Sequence, residues 1–307
     1  MRRRHIALDK PGLSAFLYPM TYLDIAARGK NSLWRYLLAW PVALLIWLIL
    51  VVAVLLPLML THLITSDQLQ TQDAGDHPVM FFALQGLVFA GLIAGFTLAV
   101  FLLHRKNFKD ICGNWHWRLV WSGALVWLVV MILSTAIDWA LVPKGFTGTI
   151  ETLNPAIILT TIVCLAIQTF AEEFIFRGYL TQSLLLATKR PMIAAAIAAL
   201  LFGSLHIPNG LPQAVGATAL GFVLSLIAIR TGGLAFGWGL HFANNLFGAI
   251  IVVSANDVFK GTPAIITQNT PGLMWWDTVF GIGIMAVLAI LVLKDGRFIG
   301  SAAQYPK

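Results

Sequence analysis

The chain has 307 residues, of which 59% are hydrophobic and 11% charged, with a formal net charge of +7 and a mean hydropathy of +0.83. Soluble domains carry about 25% charged residues, so this composition excludes an ordinary soluble globular protein and indicates a polytopic membrane protein. The positive balance does not indicate a nucleic-acid partner, because its distribution along the chain follows the predicted membrane topology.

Eight apolar segments are candidates for helices that cross the roughly 30 Å hydrocarbon core of a bilayer. They lie near Leu37–Leu63, Val79–Leu103, Leu119–Val142, Pro155–Phe176, Pro191–His206, Gln213–Ile229, Leu234–Val253 and Leu273–Leu293. The fifth and sixth are short, and the uncharged sequence between them, IPNGLP, is consistent with a turn inside the membrane beside a wet cavity. The predicted fold class is therefore an all-α polytopic membrane protein with about eight transmembrane helices.

The basic residues predict the orientation of the chain. If the N-terminus is cytoplasmic, only Lys144 and Lys260 of the 20 Lys and Arg residues fall on the outer side. Basic residues concentrate in short cytoplasmic loops, so we expect both termini in the cytoplasm of a bacterial inner or plasma membrane. The charged N-terminus is followed by no apolar stretch before Leu37, so we do not expect a cleaved signal peptide. We expect no disulfide between Cys112, on the inner side, and Cys164, within a span.

No fixed-period repeat or low-complexity linker divides the chain. We divide it into a cytoplasmic or interfacial segment (1–36), three N-terminal transmembrane helices (37–150), a four-helix core (151–256), and a last transmembrane helix with a cytoplasmic tail (257–307). Small residues, as in AAAIAAL and TGGLAFGWG, concentrate in the core and allow close helix packing in lipid. The polar residues inside spans lie in the same region, which we expect to be the functional part.

The strongest chemical signal is a pair of adjacent carboxylates in the fourth span. The chain has only three glutamates, and Glu172 and Glu173 are two of them. A charge at the centre of a bilayer costs about 2.5–3.5 kcal/mol on insertion scales, so it usually marks a function. Glu173 and Arg177 are four residues apart, which favours an ion pair. Glu172 points about 100° away and cannot serve the same partner, so it is a candidate general base. The alternative is that these charges only mark a solvated cytoplasmic end of the span.

Two histidines and two asparagines lie in neighbouring spans. His206 closes the fifth span, and His241 lies inside the seventh with Asn244 and Asn245. Either histidine alone is more typical of core packing, but together with the glutamates they indicate a site. His241 and Asn245 share a helix face and could donate to the oxyanion of a tetrahedral intermediate, with Asn244 the weaker candidate. The set is typical of acyl hydrolysis by activated water.

These motifs resemble a known family, the CAAX-protease and bacteriocin-processing (CPBP, or Abi) intramembrane proteases, which include Rce1-type CAAX prenyl endopeptidases. The family pattern is Glu-Glu-x-x-x-Arg, then Phe-x-x-x-His, then His-x-x-x-Asn. This chain has Glu172 to Arg177, Phe202 to His206 and His241 to Asn245 in that order. The resemblance covers residues 155 to 253 and implies a CAAX-protease-like bundle.

The resemblance also implies roles for these residues. Glu172 would activate water, His206 would help to hold it, and His241 with Asn245 would form the oxyanion hole. Glu173 and Arg177 would support the site, with Asn244 beside them. We expect no metal cofactor, since the zincin motif His-Glu-x-x-His is absent. The alternative is a zinc site formed by Glu172, His206 and His241.

The predicted function is an intramembrane endopeptidase of glutamate type. Its partners would be a membrane-associated protein or peptide substrate and the lipid bilayer. The alternative is a non-catalytic scaffold on the same fold, acting as an immunity factor or a partner of a signalling protein. A transporter would explain charge within the membrane but not the arrangement of His241 and Asn245.

Overall fold

The structure is a computed structural model that describes residues 22–65, 75–270 and 274–294. Helices dominate these ranges, and we number them in chain order. They are α1 (Tyr22–Ala26), α2 (Leu33–Leu60), α3 (Pro78–His104), α4 (Phe108–Cys112), α5 (Trp117–Leu141), α6 (Pro155–Thr188), α7 (Pro191–Ser204), α8 (Leu211–Thr231), α9 (Ala235–Leu246) and α10 (Met274–Lys294).

Six helices of the described ranges are long and apolar enough to cross a membrane: α2, α3, α5, α6, α8 and α10. Large apolar side chains such as Leu45, Ile49 and Leu125 are exposed on them, as expected for surfaces that face lipid. The predicted polytopic membrane fold is confirmed. The count of eight spans is approximate, because α7 has 14 residues and α9 has 12 before a π-helical turn of five. At 1.5 Å per residue, α7 is shorter than the hydrocarbon core by about 10 Å.

Three predicted span boundaries need correction. Helix α6 does not end at Phe176 but continues to Thr188, and its middle section, Glu173–Leu180, is π-helical. The Thr181 hydroxyl donates to the Phe176 carbonyl at 2.8 Å. This bond satisfies a carbonyl oxygen in the π-helical section, where the wider turn changes the backbone hydrogen-bond pattern. Helix α7 ends at Ser204, so His206 lies in the turn that follows. The seventh span ends in a π-helical turn, Phe247–Ile251, and continues as a strand.

A small three-stranded sheet was not predicted, so the all-α description holds for the helices but misses this element. Its strands are β1 (Phe146–Gly148), β2 (Val252–Ser254) and β3 (Ile266–Gln268), in the order β1-β3-β2. β1 pairs antiparallel and β2 parallel with β3. The sheet joins the chain that follows α5 to the chain that follows α9, and so fixes the ends of these two helices relative to each other.

Helices α5 and α9 approach closely because glycine lies at both sides of their contact. A Cβ at Gly123 would lie 2.2 Å from the Phe236 carbonyl oxygen, and one at Gly239 would lie 2.0 Å from the Val120 carbonyl oxygen. Only hydrogen fits at such distances, as is common where membrane helices pack backbone to backbone. This contact brings Trp127 of α5 within reach of the polar residues of α9.

The N-terminal helix α1 packs against α6 and against the chain between α3 and α4. The Tyr22 hydroxyl donates to the Arg177 carbonyl at 2.6 Å, and Lys106 Nζ donates to the Ala26 carbonyl at 2.7 Å. The predicted segment 1–36 therefore includes a packed helix. Its first 21 residues, and the predicted C-terminal tail after Lys294, lie outside the described residues.

Candidate active site

Helix α6 presents both predicted carboxylates to the interior of the helix bundle. Glu173 is fully buried, and its Oε1 lies 3.1 Å from Arg177 Nη1, as the i,i+4 spacing predicts. The Arg177 guanidinium also lies 4.2 Å from the centre of the Phe202 ring, a favourable cation–π position. Glu173 and Arg177 therefore form a buried ion pair, and the reading of these charges as a solvated helix end is wrong.

His241 contacts both carboxylates. Its Nδ1 lies 2.9 Å from Glu173 Oε1, and its Nε2 lies 3.5 Å from Glu172 Oε2. The prediction that the two glutamates cannot serve one partner is therefore wrong. The physical reason is that an imidazole has nitrogens on two edges, so carboxylates pointing in different directions can each meet one of them.

Gly237 makes room for this arrangement. It lies one turn before His241 on α9, and a Cβ there would be 3.1 Å from Glu173 Oε2. Glycine thus lets the Glu173 carboxylate lie against the α9 backbone while its other oxygen reaches His241. The close contact explains why a small residue occurs at this position in the span.

His241 lies between two carboxylates, one of which is paired with a guanidinium. An ionised carboxylate can only accept a hydrogen bond, so Glu173 Oε1 accepts from the Nδ1–H of His241. The second ring nitrogen, Nε2, is then the one that faces Glu172.

Gln168 is a site residue that the sequence analysis missed. Its Nε2 donates to Glu172 Oε1 at 2.6 Å, and its Oε1 accepts from Asn245 Nδ2 at 3.0 Å. The signal was present in the sequence, because Gln168 is four residues before Glu172 and therefore on the same face of α6. Asn245 thus reaches Glu172 through Gln168 and does not contact it directly.

Asn244 extends the same network to α5. Its Nδ2 donates to Asn245 Oδ1 at 3.0 Å, and its Oδ1 accepts from the indole of Trp127 at 2.8 Å. Trp127, which is buried, was also missed. No local spacing could indicate it, since 117 residues separate it from Asn244.

His206 lies at the edge of the site. Its Nδ1 donates to the Phe202 carbonyl at 2.9 Å, because a carbonyl can only accept. In the tautomer that this bond selects, Nε2 is the nitrogen that carries the acceptor lone pair. The Phe202 ring packs against both histidines, with ring centres 4.6 Å from His206 and 6.1 Å from His241. Among the described residues, no hydrogen bond or ion pair joins His206 to either glutamate.

The alternative zinc site is not assembled in this arrangement. Of its three supposed ligands, the structure brings Glu172 and His241 together, whereas the hydrogen bond of His206 goes to the Phe202 carbonyl. Within the described ranges, no group of three or more His, Cys, Asp or Glu side chains could hold a metal ion. Independence from metal and the alternative zinc site both stay predictions.

The comparisons with known proteins converge on the same segment. Residues 154–247 match the family model described as "Type II CAAX prenyl endopeptidase Rce1-like", a span that includes every residue of the site described above except Trp127. The chain is 27% identical over 280 residues to "Uncharacterized protein YyaK" of Bacillus subtilis (strain 168), which covers 86% of this chain and 93% of that protein. No solved structure matches.

The similarity to a family of endopeptidases supports protease activity at the membrane. The long apolar helices of the described ranges are those of a protein that crosses the bilayer. The chain is therefore an integral membrane protein, and its residues 154–247 are similar to the Rce1-like family.

Proposed function

We propose that the protein is an intramembrane endopeptidase that hydrolyses a peptide bond of a membrane-associated protein, with Glu172 as the base that activates water. The observation that carries the proposal is the state of the Glu172 carboxylate. Its Oε1 is held by Gln168, while its Oε2 is buried, has no hydrogen-bond partner and faces His241. A buried acceptor without a partner is costly, so it is suited to binding a water or substrate group.

The first step of the reaction uses this free oxygen. A water hydrogen-bonded to Glu172 Oε2 loses a proton to it as the water oxygen bonds to the carbonyl carbon of the scissile peptide. The electron pair of the carbonyl π bond moves to the carbonyl oxygen, which becomes an oxyanion. General-base assistance of this kind contributes about 10²–10⁴-fold to rates.

The oxyanion requires donors, and His241 can supply one. With a proton on each ring nitrogen, His241 donates Nδ1–H to Glu173 and presents Nε2–H to the space beside Glu172 Oε2. Asn245 uses one of its two amide hydrogens on Gln168, so the second is available to the same oxyanion. Each donor in an oxyanion hole is worth about 2.7–4 kcal/mol of transition-state stabilisation.

The second step returns the proton. Protonated Glu172 donates to the amide nitrogen of the tetrahedral intermediate, the C–N bond breaks, and the products are an amine and a carboxylic acid. Glu173 and Arg177 hold His241 in place throughout, since Glu173 Oε1 accepts from Nδ1 and fixes the ring orientation. In this scheme His206 offers its free Nε2 to the attacking water. The reaction needs no metal ion.

The experiment that tests the proposal compares the membrane proteomes of cells with wild-type protein, Glu172→Gln and a control, Glu151→Gln. Glu151 is the third glutamate of the chain and is exposed outside the site. We expect uncleaved membrane proteins to accumulate with Glu172→Gln and not with the control. If Glu172→Gln restores every phenotype of a deletion strain and no protein accumulates, the scaffold function is correct instead.

A further inference from the structure

A chain of hydrogen bonds connects α5 to the candidate base. It begins at the Trp127 indole, passes through Asn244, Asn245 and Gln168, and ends at Glu172 Oε1. Its distances run from 2.6 to 3.0 Å, within the range of good hydrogen bonds. Five side chains from α5, α6 and α9 therefore act as one unit, which we call the amide relay.

The two ends of the amide relay determine its direction. An indole nitrogen can only donate, and an ionised carboxylate can only accept. Starting from Trp127, Asn244 must turn its oxygen to the indole and its NH2 group to Asn245. Asn245 and Gln168 must then repeat this orientation, so that an amide NH2 meets Glu172. Reversing any one amide would make a donor face a donor at one of its two contacts and an acceptor face an acceptor at the other.

The direction of the amide relay affects both the ionisation and the orientation of the Glu172 carboxylate. A donor presented to Oε1 stabilises the ionised carboxylate, and it is a charge-assisted hydrogen bond at 2.6 Å. It also fixes the carboxylate plane, so that Oε2 stays turned toward His241 Nε2. A general base must be ionised and correctly oriented before the substrate arrives.

We propose that Gln168 is a positioning residue that, held in one orientation by the relay from Trp127, keeps Glu172 ionised and its Oε2 directed at the reacting water. The proposal rests on the function proposed above only in naming Glu172 as the base. The relay gives the α5 helix, which lies outside the sequence motifs, a defined part in the site. Gln168 acts through Glu172, and its own orientation is set by Asn245.

The test measures the protonation of Glu172 without a substrate. Dicyclohexylcarbodiimide is an apolar reagent that modifies protonated carboxyl groups, and peptide mapping by mass spectrometry reports its yield at each glutamate. The full-length purified protein is labelled across a pH series as wild type, Gln168→Leu and Trp127→Phe. The matched control is Gln182→Leu. Gln182 is a buried residue of the same helix, which donates to the carbonyls of Asp110 and Ile111, away from the glutamates.

We expect Gln168→Leu to move the midpoint of Glu172 labelling upward by about one to two pH units, because the ionised carboxylate loses a charge-assisted donor. Trp127→Phe keeps an aromatic ring but removes the N–H that fixes the direction, so its midpoint should move the same way by a smaller amount. Gln182→Leu should lower the melting temperature and leave the Glu172 midpoint unchanged.

An unchanged midpoint in folded Gln168→Leu protein would overturn the proposal. So would an equal shift in Gln182→Leu, which would indicate a general loosening of the helix. If Gln168→Leu does not fold, Trp127→Phe decides, and a wild-type midpoint in that variant rejects the relay. Since labelling needs no turnover, this result is separate from the proteolysis experiment. The relay can be rejected while Glu172 proves to be the base, and the relay can be confirmed while Glu172 proves not to be the base.

Discussion

Replacing Glu173 by Gln tests the energetics of the site. Glu173 Oε1 contacts both Arg177 and His241, and both charged side chains of the ion pair are at most 1% exposed. The substitution keeps the shape of the side chain but removes its charge, and so leaves the Arg177 guanidinium unpaired in the interior. Breaking a buried pair in this way costs about 3–5 kcal/mol. At ~2–4 °C per kcal/mol, we expect the melting temperature to fall by roughly 6–20 °C.

The assay is thermal unfolding of the purified protein in one detergent, with Glu151→Gln as a surface control. The double variant Glu173→Gln with Arg177→Met removes both charges, and should recover much of the lost stability because no unpaired charge remains buried. A melting temperature within about 2 °C of wild type in Glu173→Gln would refute the reasoning, since at ~2–4 °C per kcal/mol it corresponds to no more than about 1 kcal/mol.

Three further predictions concern packing, pH and metal. Gly239→Ala should destabilise the protein by about 1–3 kcal/mol, since its Cβ would meet the Val120 carbonyl, whereas Gly216→Ala, in open space on α8, should be neutral or stabilising; melting temperatures compare them. Burial lowers the pKa of Lys106, between α3 and α4, to about 8. The unfolded chain then binds more protons between pH 8 and 10, so the melting temperature should rise across this window in wild type and less in Lys106→Met. Proteolysis should survive strong chelators, and loss of activity restored by zinc alone would contradict the metal-free mechanism.

Hydropathy predicted the positions of the helices well, because a membrane span needs a long apolar run whatever its tertiary partners. The Glu173–Arg177 ion pair could be predicted equally well from the sequence, since it depends only on helical spacing. Gln168 could have been found by the same spacing, but an uncharged amide is a much weaker signal than a charge within a span.

Other features depended on contacts between distant segments. The double contact of His241 and the bond from Trp127 to Asn244 arise from the packing of α9 on α6 and α5, which no local pattern contains. The strands have three residues each, too short to show an alternating pattern. Helix α6 reaches Thr188 through the π-helical section Glu173–Leu180, which single-sequence patterns do not indicate.

The most direct test of the central claim is the turnover of purified Glu172→Gln protein on a membrane protein that accumulates in its absence, measured per folded molecule against wild type. Glutamine keeps the size of the side chain and a hydrogen bond to Gln168 but cannot accept a proton from water. We predict that turnover falls by at least about 10² with an almost unchanged melting temperature. Wild-type turnover in Glu172→Gln, or loss of turnover only in a stable Glu173→Gln protein, would contradict the assignment of Glu172 as the base.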